Sequence, residues 1–206
     1  GIEASLRRVA HYDYWDDAIR RSVLLDAKAD YLIYGMAEKS VLAFADAMRF
    51  HDNPHHLRGL CYVDRTPQKG YVALPSYEEV REDKHAFIEM FHTFYRNNDP
   101  RSAQGMTQRH GNRYLIHNPP PPYLEQDELD KVYALDFERD AHPHYKQQGE
   151  IKALRTINFA VNTHRGCYGE CNFCAIAVHE GRTIRWRSQD SIVAEAHTLT
   201  RQPGFK

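Results

Sequence analysis

Three cysteines lie close together near the end of the sequence, and their spacing is its strongest chemical signal. Cys167, Cys171 and Cys174 follow the pattern Cys-x3-Cys-x2-Cys, so one short loop can place three thiolates around a single small inorganic core. A ferredoxin-type cluster takes four cysteines, commonly with a proline after the last, whereas Ala175 follows the third cysteine here. The pattern therefore favours a [4Fe-4S] cluster with one iron left open to a substrate or a cofactor.

Two glycines accompany these cysteines and shape the backbone between them. Gly166 and Gly169 permit tight turns and can bring backbone amides towards the sulfurs. An alternative is a structural zinc site of the Cys3His type, with His164 or His179 as the fourth ligand. Zinc requires a closed shell of four ligands, and Cys-x2-Cys pairs are more usual in such sites. The second hypothesis is therefore a zinc-stabilised binding module without catalytic activity.

The segments upstream of the loop alternate between helix and strand patterns. Apolar spacing predicts helices at 16–25 and 38–49 and strands at 31–35 and 60–63. A strand, a helix and a strand in this order predict a parallel α/β unit. Cys61 lies between apolar neighbours in the second strand, so we expect it to be a small core residue and not a ligand.

Further elements lead to the cysteine loop and away from it. Ser76 is the predicted N-cap of a long helix whose aromatic stripe is expected to lie in the core. Alternating apolar residues predict a strand over 156–161 that runs into the loop, and Ser188 is the predicted N-cap of the helix that follows. The loop is therefore expected at the C-terminal end of a strand.

Four consecutive prolines, 119–122, cannot continue a helix or the interior of a sheet, so we place a domain boundary there. The predicted domains are a partial N-terminal α/β domain (1–118), a proline-rich linker (119–150) and the start of a second domain that contains the loop (151–206).

The composition limits the classes of function. The 206 residues are 42% hydrophobic, which is enough for the core of one large domain or two small ones. Lys and Arg total 27 against 28 Asp and Glu, and the net charge of −1 produces no overall field that attracts nucleic acid or anionic lipid. No apolar run approaches the roughly 18 residues of a membrane span, and the first residues lack the layout of a signal peptide. We therefore expect a cytoplasmic protein without a nucleic-acid or membrane partner.

The aromatic residue directly before the third cysteine, Phe173, makes the loop resemble the signature of the radical S-adenosylmethionine (SAM) superfamily. Residues around the loop, at the start of the chain and near the prolines also resemble the YgiQ-like group of that superfamily. The matching stretches are 1–8, 11–15, 118–120, 133–135, 165–176, 179–182 and 187–188. The resemblance therefore covers nearly the whole chain.

The resemblance implies a fold of the α/β class. It would comprise an incomplete N-terminal Rossmann-like domain, similar to cobalamin-binding domains, followed by the first β-loop-α unit of a partial (β/α) radical SAM barrel. Barrel enzymes place their sites at the C-terminal ends of strands, which agrees with the expected place of the loop. Because the chain begins with glycine and ends after this first unit, we expect a fragment that is inactive alone.

The resemblance also implies an activity. Cys167, Cys171 and Cys174 would ligate the cluster, and SAM would chelate the open iron beside Phe173. One electron, from a donor such as a flavodoxin or ferredoxin, would split SAM to a 5'-deoxyadenosyl radical that abstracts hydrogen from an unidentified substrate. Four arginines could meet the SAM carboxylate, although surface ion pairs are their commoner role. They are Arg165, Arg182, Arg185 and Arg187.

Overall fold

The computed structural model describes residues 1–171 and 173–205 and places short strands and helices along them. The strands are β1 (His11–Asp13), β2 (Ala18–Arg20), β3 (Tyr31–Ile33), β4 (Leu60–Asp64), β5 (Val72–Leu74), β6 (Met106–His110), β7 (Arg113–His117), β8 (His164–Arg165) and β9 (Arg185–Trp186). The helices are α1 (Ile2–Leu6), α2 (Val23–Asp26), α3 (Glu38–Arg49), α4 (Tyr77–Glu82), α5 (Lys84–Arg96), α6 (Gln126–Tyr133), α7 (Pro143–Lys146), α8 (Leu154–Ile157), α9 (Ile176–His179) and α10 (Gln189–Thr200). None of the helices in these described ranges has the length and apolar character that a membrane crossing requires.

The described residues divide into two compact units, each made of two stretches of chain. Within the described ranges, the first unit comprises 1–123 and 166–183, and the second comprises 124–165 and 184–205. The cysteine loop therefore belongs to the same unit as the N-terminal part of the chain. The domain limits at 118 and 150 stay predictions.

A mixed sheet forms the centre of the first unit. Across the described residues its strand order is β3-β4-β7-β6-β5, in which β5 and β6 run parallel and the other neighbours are antiparallel. The β1–β2 hairpin pairs separately. This architecture is of the expected α/β class and is consistent with a partial Rossmann-like domain.

The pairing of β3 with β4 corrects the prediction of a parallel unit. The bounds of α3 agree with the predicted helix, but Tyr31 pairs with Tyr62 in an antiparallel ladder. Residues 50–59 separate α3 from β4 and provide enough chain for β4 to enter the sheet from the opposite end. Apolar periodicity indicates which face of an element is buried, and it carries no information about strand direction.

The helix predicted at 16–25 is wrong, because the segment forms a turn, β2 and the start of α2. Asp13 Oδ1 accepts a hydrogen bond from the Trp15 amide at 3.0 Å and stabilises the turn after β1. Ser22 caps α2 by accepting from the Leu24 amide at 3.3 Å. These bonds from side chains to the backbone favour the hairpin over a continuous helix.

Ser76 caps its helix as predicted, but the helix is shorter than expected. The Ser76 hydroxyl accepts a hydrogen bond from the Glu79 amide at 3.2 Å, and the Glu79 carboxylate accepts from the Ser76 amide at 2.8 Å. This reciprocal pair is a capping box. Asp83 then interrupts the helix and caps α5 by accepting from the His85 amide at 2.8 Å.

The core of the first unit joins the sheet to α5. Met106 of β6 and Met90 and Phe94 of α5 belong to one buried cluster. Cys61 is 0% exposed in the same cluster, so its interpretation as a core residue is confirmed. Phe91 is 45% exposed, so the aromatic stripe is only partly core.

The second unit contains α10, whose start agrees with the prediction. Ser188 caps this helix by accepting a hydrogen bond from the Ser191 amide at 3.1 Å. Arg187 is buried and forms an ion pair with Glu195, which also pairs with Arg139 at 2.6 Å. An acidic residue therefore occupies an inward position of α10, where periodicity alone would place an apolar one.

The strand predicted over 156–161 is wrong. Helix α8 occupies the start of this segment, and the Thr156 hydroxyl donates to the Ala153 carbonyl at 2.8 Å. The strand that precedes the cysteines, β8, has two residues and pairs antiparallel with β9. The loop still follows the C-terminal end of a strand directly, because Gly166 comes next after β8.

Candidate metal centre in the cysteine loop

The cysteine loop, defined here as residues 166–175, is fixed at its first residues by the segment that follows α9. Gly166 has φ +84°, and a Cβ there would lie 2.5 Å from the Thr183 carbonyl oxygen, so only glycine fits this position. The Gly166 amide donates to the Glu180 carboxylate at 2.9 Å, and the Cys167 amide donates to the Gly181 carbonyl at 3.1 Å. The first cysteine is therefore held by backbone contacts.

Two of the three sulfurs lie against the same glycine. The Gly169 amide donates to Cys167 Sγ at 3.4 Å, and Cys171 Sγ lies 3.9 Å from the Gly169 carbonyl oxygen. A Cβ built on Gly169 would meet these sulfurs at 3.4 and 3.7 Å. Cys167 and Cys171 are exposed, whereas Cys174 is half-buried and its amide donates to the Cys171 carbonyl at 2.9 Å. The expected approach of an amide to a sulfur is present at Gly169.

The three thiols match an iron–sulfur cluster in donor type and accessibility, because cysteine thiolates are its usual ligands and two of them face solvent. Within the described ranges, however, no three His, Cys, Asp or Glu side chains are gathered closely enough to hold a metal ion. This finding applies equally to the zinc alternative, because a zinc site would need such a group among the same described residues. His164 is exposed beside the Thr163 hydroxyl, and His179 Nδ1 lies 2.7 Å from the Ser5 hydroxyl. The role of the cysteines stays a prediction.

Phe173, the aromatic residue of the motif, is 92% exposed. Tyr168 on the same loop is 78% exposed. Exposed aromatic rings of this size gain free energy when a flat apolar partner covers them. The predicted role of Phe173 beside an adenine stays a prediction.

Each of the four arginines near the loop has protein partners. Arg182 donates to the Tyr95 carbonyl at 3.0 Å, and Arg185 donates to the Leu124 carbonyl at 2.9 Å. The guanidinium groups of Arg165 and Arg187 both lie over the Tyr133 ring. Arg187 also forms an ion pair with Glu195. These contacts agree with the ordinary structural role of arginine.

Sequence reasoning missed the polar residues that hold α9 behind the loop. Asn98 donates to the Ala177 carbonyl at 3.0 Å and accepts a hydrogen bond from Arg8. Ser5 contacts His179 and accepts a hydrogen bond from the Gly35 amide at 3.1 Å. Their partners are 30 to 174 residues away in sequence, so no local pattern could have found them.

Comparison with known proteins adds independent information. A family model described as radical SAM N-terminal matches residues 1–160. Three UPF0313 proteins align with the whole chain: one of Fusobacterium nucleatum at 51% identity, one of Clostridium botulinum strain 657 at 46% and one of Clostridium perfringens strain ATCC 13124 at 42%. The chain covers 36%, 33% and 32% of their respective lengths, so it spans about a third of these relatives. No solved structure matches the chain.

Proposed function

Because the chain belongs to the radical SAM N-terminal family, we propose that it is part of a radical SAM enzyme that holds a [4Fe-4S] cluster through Cys167, Cys171 and Cys174. The observation that carries the proposal is the accessible pair of thiols beside Gly169, in a loop whose start is fixed by backbone contacts. The chemistry that such a cluster and SAM supply together is one-electron cleavage of SAM to a 5'-deoxyadenosyl radical. The substrate is unknown, and turnover belongs to the whole protein.

The loop residues have separable roles in this proposal. The Gly169 amide donates a hydrogen bond to Cys167 Sγ and so helps to fix the position of this sulfur. The bonds from Gly166 and Cys167 to residues 180–181 fix the direction in which the first thiol projects. Phe173 offers a flat apolar surface for the adenine of SAM. The electron would come from a flavodoxin or ferredoxin in the cytoplasm.

The proposal is tested on the full-length protein, purified and reconstituted without oxygen. We expect about four irons and four sulfides per chain and a visible spectrum that changes on addition of SAM. Replacing Cys167, Cys171 or Cys174 singly by Ala should remove most of the iron and abolish SAM cleavage. Cys61→Ala is the matched control, because Cys61 lies in the core and should not affect iron content.

Two outcomes would contradict this assignment. One is unchanged iron and SAM cleavage after loss of any loop cysteine. The other is stoichiometric zinc that survives an iron-rich reconstitution without visible absorbance, which would favour the zinc-stabilised module. In that case His164→Ala or His179→Ala should release the zinc.

A further inference from the structure

Glu170, between Gly169 and the second cysteine, has an unusual backbone conformation. Its φ is +48°, in the left-handed region that costs a residue other than glycine about 1 kcal/mol. Such a conformation persists only where surrounding contacts hold it. The contacts of the Glu170 side chain therefore bear directly on the shape of the cysteine loop.

Arg182 is the residue that holds this side chain. Its Nε lies 2.8 Å from Glu170 Oε1, and the two side chains are 23% and 45% exposed. Among the described residues, Arg182 Nε has no aligned hydrogen-bond acceptor, so the attraction is an ion pair and not a directed hydrogen bond. The pair is partly shielded from water on the arginine side, which strengthens it relative to a fully exposed pair.

The other side of Arg182 is fixed to the end of α5. Nη2 donates to the Tyr95 carbonyl at 3.0 Å, and Cζ lies 3.8 Å from the centroid of the Tyr95 ring. A cation at this end of a helix also interacts favourably with the helix dipole. The Tyr95 ring stacks on Phe91 with centroids 5.8 Å apart. Arg182 therefore contacts both the backbone carbonyl and the ring of Tyr95 at the end of α5.

We infer that Arg182 is a positioning residue that fixes the loop between Cys167 and Cys171, because it pairs with Glu170 on one side and contacts Tyr95 on the other. The inference rests on the proposed function, since it assigns Arg182 to the support of the cluster ligands.

The experiment uses the full-length protein with Arg182→Met, Glu170→Gln and the double variant. Arg96→Met is the matched control, because Arg96 is exposed on α5. The first readout is the loss of iron to a chelator after anaerobic reconstitution. The second is the rate at which Cys167 and Cys171 react with iodoacetamide in the iron-free protein.

We expect Arg182→Met to lose iron roughly 10- to 100-fold faster than wild type, the range typical of residues that support metal ligands. Glu170→Gln should act in the same direction, and the double variant should be no worse than Arg182→Met, because both changes remove one interaction. Iodoacetamide should react faster with both thiols in these variants and at the wild-type rate in Arg96→Met. Arg182→Lys should recover part of the loss through its charge.

The inference is overturned if Arg182→Met and Glu170→Gln match wild type in both readouts, or if their effects add in full. Glu170 lies in an exposed loop, so Glu170→Gln should fold even if Arg182→Met does not. A wild-type protein that binds no iron contradicts the proposed function instead. The iodoacetamide rates of the iron-free variants then still decide whether Arg182 holds the loop.

Discussion

The guanidinium of Arg8 lies over the ring of Tyr34, with Cζ 4.0 Å from the ring centroid, in the interior of the first unit. Phe94 forms a second aromatic contact at 4.6 Å, and Asn98 accepts a hydrogen bond from the same side chain. Burial lowers the pKa of Arg8. The two aromatic rings and the Asn98 amide stabilise this buried cation. Asn98 in turn donates to the Ala177 carbonyl of α9, the helix that follows the cysteine loop.

Replacing Arg8 should show how much this buried side chain contributes to the free energy of unfolding. We expect Arg8→Ala to lower the free energy of unfolding by roughly 2–5 kcal/mol, because a buried side chain is lost and a cavity remains. Arg8→Met fills most of the space but leaves the Asn98 oxygen unpaired, which costs about 1–3 kcal/mol. Urea unfolding measures both variants. Arg109→Met, on an exposed position of β6, is the control, and a smaller loss for Arg8→Ala than for Arg8→Met would contradict this account.

Acid should destabilise the first unit through its buried histidines. Burial lowers the pKa of His110 to about 4 and places that of His117 well below its usual range. Between about pH 4 and 6.5 the unfolded chain therefore binds more protons than the folded chain, so the unfolding free energy rises with pH. The stabilisation is fully present above pH 6.5 and is lost as the pH falls towards 4. Each histidine contributes a slope of at most about 1.4 kcal/mol per pH unit.

Urea unfolding of wild type and His110→Phe at pH 5, 6 and 7 measures this slope. Phenylalanine keeps an aromatic ring against Tyr77, whose ring stacks on His110 with centroids 5.4 Å apart. The variant should have a shallower slope than wild type, and His117 and His11, whose pKa values burial also lowers, contribute to the remainder. An identical slope in the two proteins would show that His110 takes up protons equally well in the folded and unfolded states.

Gly166 should tolerate a side chain less well than Gly70, because only at Gly166 would a Cβ meet a neighbouring atom. Gly166 and Gly70 have φ values of +84° and +83°, but a Cβ would clash with the Thr183 carbonyl only at Gly166. Gly70→Ala should cost about 1–2 kcal/mol, the penalty of the left-handed backbone. Gly166→Ala should cost measurably more and should lower iron retention in the full-length protein. Equal losses in unfolding free energy would mean that the loop moves away from Thr183 without cost.

The four cysteines should differ sharply in reactivity. Burial raises the pKa of Cys61 to about 12, and this residue is 0% exposed, so little reactive thiolate forms there. Cys167 and Cys171 are exposed. We expect iodoacetamide to modify these two first in iron-free protein, and Cys61 only after addition of denaturant, as measured by peptide mass spectrometry. Modification of Cys61 at the rate of Cys167 under native conditions would contradict its place in the core.

Local signals predicted several elements well. Helix α3 has its predicted bounds, Ser76 and Ser188 are N-caps, and Cys61 is a core residue. Each depends on apolar spacing over one element or on a hydrogen bond across three residues, which the sequence contains directly. The helix at 16–25 failed because Asp13 and Ser22 bind nearby amides and favour a hairpin over the helix that apolar spacing permits.

The sequence by itself determined the family, because membership depends on residue types at fixed spacing, and it predicts Cys167, Cys171 and Cys174 as the donor set on the same basis. Only the tertiary structure decided that β4 runs antiparallel to β3, that Asn98 binds the Ala177 carbonyl and that Arg182 joins Glu170 to Tyr95. These pairs are distant in sequence. Their contact depends on chain topology and on the closure of long loops, which no local propensity encodes.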